Sequence, residues 1–146
     1  MNQVKTYFSS GSSAAAGAGA SWCVRRGAAA TTVGNQICVF GGTSAGLDVS
    51  TTECLDPTSN TWASGLPHMP TFRHGLGADA IGGLAYAVGG YSGGNLSGGG
   101  PGYVSTVERY NPVARTWTSN ASMLTTREYE GVVTMSGLHE LAQLGK

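Results

Sequence analysis

Charged side chains are scarce in this sequence. Eight Lys and Arg and eight Asp and Glu make up 11% of its 146 residues and cancel to a formal net charge of zero, against the roughly 25% charged residues usual in a soluble domain. Zero net charge removes the electrostatic footprint of a nucleic-acid binder, and the lack of any block of like charges argues against an anionic membrane surface. It also leaves little colloidal repulsion between copies, so self-association is expected. Long hydrophobic runs are missing too. No stretch of 18 apolar residues occurs, and the opening MNQVKTYFSS has no continuous apolar region of the secretory type. Cysteine is nearly absent: Cys23, Cys38 and Cys54 are odd in number and form no CxxC. Neither a disulfide framework nor a zinc site is expected from them, and reduced thiols in the cytoplasm are. His68, His74 and His139 show no ligand spacing, so no metal and no cofactor is expected.

What the chain does contain is glycine, 24 residues in all, beside a hydrophobic fraction of 40%. The glycines follow no three-residue period, which excludes collagen. Many glycines among short apolar runs indicate many tight turns, hence an all-β chain. The runs repeat. VGNQICVFGG ends at Gly42 and IGGLAYAVGG ends at Gly90, an offset of 48 residues. Val49-Ser50-Thr51, Glu53, Pro57 and Thr61-Trp62 recur as Val104-Ser105-Thr106, Glu108, Pro112 and Thr116-Trp117, at an offset of 55 held without a gap. Arg73 and Arg127 follow each tryptophan at equivalent places. The seven additional residues lie in the linker YSGGNLSGGGPGY, compared with TSAGLD. Length change confined to one connection is what a solvated loop tolerates.

Each unit reads as four strands. Ala28–Val33 and Gln36–Phe40 flank Gly34-Asn35, and Gly77–Ile81 and Leu84–Val88 flank Gly82-Gly83, the pattern of tight hairpins. Thr51–Leu55 and Thr106–Tyr110 stop at Asp56-Pro57 and Asn111-Pro112, because an Asx-Pro pair opens a turn. Short strands follow at Thr61–Ser64 and Thr116–Ser119. Four strands in a period of about 50 residues is a propeller-blade plan. A third unit starts with Gly131–Met135 and then departs into HELAQLGK, whose Leu138, Leu141 and Leu144 have helical spacing.

The apolar run closed by a double glycine (Gly41-Gly42, Gly89-Gly90), the Tyr110-Asn111-Pro112 triplet, the tryptophan six residues beyond the Asn, and the Met-x-x-x-Arg tail resemble kelch repeats. Leu55 in place of the tyrosine and Cys38 in place of an aromatic depart from the pattern. The resemblance runs from about Arg25 to Leu138 and implies an incomplete kelch-type β-propeller, with two complete four-stranded antiparallel blades and part of a third. Residues 1–24 are then expected to be a flexible Ser/Ala/Gly-rich segment, residues 25–137 the repeats (25–72, 73–126 and a partial 127–137), and residues 138–146 a divergent tail. The departure after Leu138 is the expectation for a truncated, alternatively spliced or frame-disrupted product.

The resemblance further implies that Trp62 and Trp117, with Tyr110, pack between neighbouring sheets, each tryptophan contributing ~3–5 kcal/mol. Arg73 and Arg127 are expected as buried, hydrogen-bonded guanidinium groups between blades. In kelch propellers a protein or peptide partner is held on one face by residues after the double glycine and after the repeat arginine. Here those are Thr43, Ser44, Tyr91, Ser92, His74, Glu128 and Tyr129. The function implied is a protein-interaction module, in the manner of a substrate adaptor for ubiquitin ligases. The alternatives are a fragment of a kelch-propeller enzyme of oxidase or epimerase type, or a gene product without independent function. Ser44 lies in a G-x-S-x-G sequence and Gly75–Ala80 fits a dinucleotide fingerprint, but each needs a helix directly after it, and strand sequence follows both. No catalytic residue is expected.

Overall fold

The computed structural model describes residues 25–93 and 102–134. The proposed N-terminal segment and C-terminal tail lie outside them. All regular structure among the described residues is β. Blade 1 is a four-stranded antiparallel sheet of β2 (Ala29–Val33), β3 (Gln36–Phe40), β6 (Thr52–Asp56) and β7 (Thr61–Trp62), in that order across the sheet. Blade 2 repeats it with β8 (Gly77–Ile81), β9 (Leu84–Val88), β12 (Val107–Asn111) and β13 (Thr116–Ser119). Four of the eight sequence-derived strands match their observed bounds; Thr51–Leu55 and Thr106–Tyr110 slide by one residue to Thr52–Asp56 and Val107–Asn111, and the other two shorten by one or two residues at an end. Within each unit two further strands form a small hairpin: β4 (Thr43–Ser44) with β5 (Leu47–Asp48), and β10 (Tyr91–Ser92) with β11 (Gly102–Tyr103). A two-residue strand, β1 (Arg25–Arg26), pairs with β4.

Local chemistry sets these elements. Gly82 and Gly83 both take positive φ (60° and 78°), the condition for the two-residue turn that matches strand twist. At the other corner Asp56 Oδ1 accepts the Thr58 and Ser59 amides, and Asn111 Oδ1 accepts those of Val113 and Ala114. The same Asx turn is therefore charged in blade 1 and neutral in blade 2. Its backbone donors hold the exposed Asp56 carboxyl below the usual carboxylate range. A depressed folded value means the turn's contribution is complete above the unfolded value, about pH 4, and is lost as pH falls through the folded one. Asp56→Asn is therefore expected to gain on the parent in thermal midpoint between pH 6 and pH 3, measured by circular dichroism. An unchanged difference between the two pH values refutes the assignment.

The core lies between the blades. Strand alternation places Cys38, Phe40, Thr52 and Cys54 of blade 1 on the side facing Ala85, Ala87, Glu108, Tyr110 and Trp117 of blade 2, with β2 beside β8. Phe40 meets the rings of Tyr110 and Trp117 edge-on at 6.1 and 5.2 Å. Burial pushes the Tyr110 hydroxyl above its usual range, with the Arg115 charge opposing. Trp117 Nε1 donates to Thr52 Oγ1 (3.1 Å) and to the Pro67 carbonyl (3.2 Å).

Four expectations need correction. Trp62 and Trp117 hold the same register, opposite Leu55 and Tyr110, but not the same surroundings. Trp117 packs on blade 1, whereas Trp62 is 56% exposed, because each tryptophan faces the blade before its own and no described residue stands there for blade 1. Arg127 is exposed rather than buried, for the converse reason developed below. Gly131–Thr134 pairs as no strand; Val132 lies over Gly77, and the Thr134 amide donates to Asp79. Cys38 and Cys54 are not free thiols but a disulfide. They stand directly opposite each other on β3 and β6 with Cα atoms 4.1 Å apart, and such a pair brings two side chains together on one face of a sheet.

Candidate functional site

The loops named from the resemblance emerge at the double glycines, where φ is positive at Gly41, Gly42, Gly89 and Gly90. A Cβ on Gly41 would stand 2.5 Å from the Arg73 carbonyl oxygen, and one on Gly90 would stand 2.6 Å from that of His74. Backbone of the boundary segment Arg73-His74 occupies the space a side chain needs at both positions, so glycine is required on conformational and steric grounds alike. The Gly42 amide donates to the Arg73 carbonyl (2.9 Å) and the Gly90 amide to the Arg127 carbonyl (2.7 Å). Val49 and Val104 return amide bonds to the Gly42 and Gly90 carbonyls. Each double glycine thus ejects one hairpin, β4–β5 or β10–β11, at the same end of its blade.

Arg73 ties that end together. Its main chain belongs to blade 1, donating to Val49 and accepting from Gly42. Its guanidinium belongs to blade 2: Nη1 donates to the Gly89 and Thr106 carbonyls at 2.9 Å each, and Nη2 to the Ala87 carbonyl (3.1 Å) and to Glu108 Oε2 (3.0 Å). Thr71 Oγ1 donates to the other Glu108 oxygen at 2.6 Å. Both ionic side chains are fully buried. Desolvation lowers the Arg73 guanidinium from its usual range, opposed by the charges of Glu108 and then Glu130. Arg25 repeats the arrangement on Glu53 and the Gly41 carbonyl, but Glu53 is half exposed. Arg127 keeps only the main-chain half, bonded to Val104 and Gly90 of blade 2; its guanidinium would seat in a following blade, which the described residues do not include.

The first repeat, the second and the segment after the second meet at His74. Its Nδ1 lies 2.6 Å from Asp48 Oδ1, and its Nε2 lies 3.4 Å from Glu128 Oε1. The second Asp48 oxygen accepts the Gly93 amide. His74 and Tyr91 exchange main-chain bonds of 3.0 and 2.8 Å, with ring centroids 5.4 Å apart. Tyr103 stands edge-on to Tyr91 at 5.4 Å. The Tyr129 amide donates to the Gly75 carbonyl (2.7 Å), and its side chain, held at φ 56°, is 72% exposed. Of the seven predicted loop residues, His74, Tyr91, Glu128 and Tyr129 are thereby gathered around one seam. Thr43 and Ser44 lie on β4, paired with Asp48 and Leu47, and Ser92 pairs with Gly102. The polar floor (Asp48, His74, Glu128) and exposed tyrosine rim (Tyr103, Tyr129) suit contact with another protein, since tyrosine offers area with few torsions to freeze.

Asp48 and Tyr103 are additions. They occupy equivalent places before Val49 and Val104, but one is a carboxylate and the other a ring, so comparison of the two repeats does not flag them. Ser44 lies on a strand that turns straight into another strand, and Gly75–Ala80 leads into β8. Neither provides the helix N-terminus that a nucleophile elbow or phosphate site needs. No cluster of three or more His, Cys, Asp or Glu that could hold a metal occurs among the described residues.

A protein of serially stacked four-stranded sheets, sewn at each seam by a boundary arginine and opening its loops at one end, is a blade-repeat protein. The Kelch motif model matches residues 25–65 and 73–124, and the chain belongs to the kelch-repeat family. The two matches coincide with the two blades. A search of curated proteins found no match.

Proposed function

We propose that this chain is a protein-binding module whose contact surface is the double-glycine end of the blades, formed by Thr43, Ser44, His74, Tyr91, Ser92, Glu128 and Tyr129. Kelch repeats commonly mediate protein–protein interaction. The single observation that carries the assignment to this face is the Asp48–His74–Glu128 chain. It joins side chains from the first repeat, the start of the second and the segment after the second into one continuous surface under exposed tyrosines. The occupant is a protein or peptide segment, and presentation of that protein to ubiquitin-ligase machinery in the cytoplasm is the narrower role within this reading. Peptides selected from a random display library on the intact chain test it. Binding of the selected peptides is expected to fall about 30-fold with Tyr91→Ala or Tyr129→Ala, the size of an interface hot spot. Peptides that bind both variants as they bind the parent refute this face.

A second reading concerns the open side of blade 1. Ile37, Val39, Leu55 and Trp62 occupy the positions whose blade 2 counterparts, Ala85, Ala87, Tyr110 and Trp117, pack against blade 1. A second copy covering this side supports self-association, and the near-zero net charge does not oppose it.

A further inference from the structure

We propose that Cys38 and Cys54 are a reversible thiol–disulfide staple that sets how firmly the Thr43–Asp48 hairpin of the binding face is held. The proposal rests on the face assigned above for its consequence, but its chemistry stands on separate observations. The two cysteines are directly opposed, bonded and wholly buried against blade 2. The loop they close, 16 residues in sequence separation, contains Gly41-Gly42, the whole β4–β5 hairpin and Asp48, the carboxylate that holds His74. Blade 2 builds the same sheet with Tyr86 and Arg109 at the matching positions. The blade plan therefore does not need a cross-link there, and the pair is peculiar to the repeat whose hairpin it encloses. A cross-link that short restricts the opened states of the loop, so its removal loosens the segment.

The bond forms by exchange with a small-molecule disulfide such as oxidised glutathione. One protein thiolate attacks a sulfur of the oxidant, giving a mixed disulfide and one released thiol. The second protein thiolate attacks the protein sulfur of that mixed disulfide and releases the second thiol. Two electrons pass to the oxidant, and the two protein protons end on the two released thiols. A dithiol reductant reverses the sequence. Because both sulfurs are covered by blade 2, exchange proceeds through opening of the seam. A reducing cytoplasm then holds the hairpin loosely and an oxidising setting holds it firmly.

The test uses the full chain carrying Cys23→Ser, so that only this pair titrates. After equilibration with oxidised glutathione and denaturation without reductant, maleimide is expected to label neither cysteine, and after dithiothreitol to label both. Hydrogen exchange of the Thr43–Asp48 amides is expected to speed at least about tenfold on reduction, while that of Leu84–Val88 stays unchanged. A Cys38→Ala/Cys54→Ala variant is expected to reproduce the reduced rates, and reduction of the otherwise native chain gives the same comparison without that substitution. Two labels on the unreduced protein, or equal hairpin exchange in both states, overturns the staple. Neither readout uses a partner, so failure of the Tyr91 and Tyr129 variants to weaken peptide binding would fall on the face alone.

Discussion

Arg73→Met is expected to destabilise the chain by about 3–5 kcal/mol, the usual cost of removing one partner from a buried ion pair. The substitution keeps most of the side-chain volume but strands the Glu108 carboxylate, which is left with Thr71 as its one side-chain donor. It also removes one donor each from the carbonyls of Ala87, Gly89 and Thr106, the last of which keeps the Gly89 amide. Lysine is no remedy, because a point charge cannot reach the four acceptors that the planar guanidinium spans. Arg73→Met/Glu108→Leu is expected to recover most of the loss, since a buried pair replaced together by apolar groups is often neutral. Urea denaturation at unchanged slope measures both, and a single variant within about 1 kcal/mol of the parent would count against the strut. Against a total stability of roughly 5–15 kcal/mol for a domain, the single change is decisive.

The two tryptophans are expected to separate sharply. Trp117→Ala removes contacts with Phe40 and Tyr110 and the bonds to Thr52 and Pro67, and is expected to cost ~3–5 kcal/mol. Trp62→Ala removes a side chain that stays 56% exposed among the described residues, and is expected to stay within about 0.5 kcal/mol of the parent. Its effect should appear in association instead: in sedimentation velocity the parent is expected to gain mass with concentration and Trp62→Ala to stay monomeric. Equal destabilisation by both substitutions would show that the two rings share one environment, and the blade order assigned here would be wrong.

Much of this fold is legible in the sequence because six of the eight sheet strands are five residues long and are bounded by glycine-containing turns, double glycines or Asx-Pro corners. The hairpins after the double glycines are not legible, since strands of two residues such as Thr43–Ser44 carry no period. The repeat comparison finds Arg73, Trp117 and the double glycines, for they recur. It passes over Asp48, whose counterpart is Tyr103. Counting cysteines misleads for a related reason: the separation of Cys38 and Cys54 says nothing until the β3–β6 register sets them face to face. Equivalence in sequence also differs from equivalence in surroundings. Trp62 and Arg127 belong to the repeat frame as fully as Trp117 and Arg73, but they look outward from opposite ends of a two-sheet stack.

The division of each boundary arginine between two blades has a bearing on how such a chain can grow or shrink. Arg73 and Arg127 make the same two main-chain bonds to the blade before them, through Val49 and Gly42 in one case and Val104 and Gly90 in the other. Excising 73–126 would therefore deliver Arg127 to the docking point Arg73 vacates, with no mismatched joint. Recombination between duplicated stretches preserves the assembly when it exchanges lengths counted from arginine to arginine. A swap counted from one sheet margin to the next would orphan a guanidinium from its receiving strands.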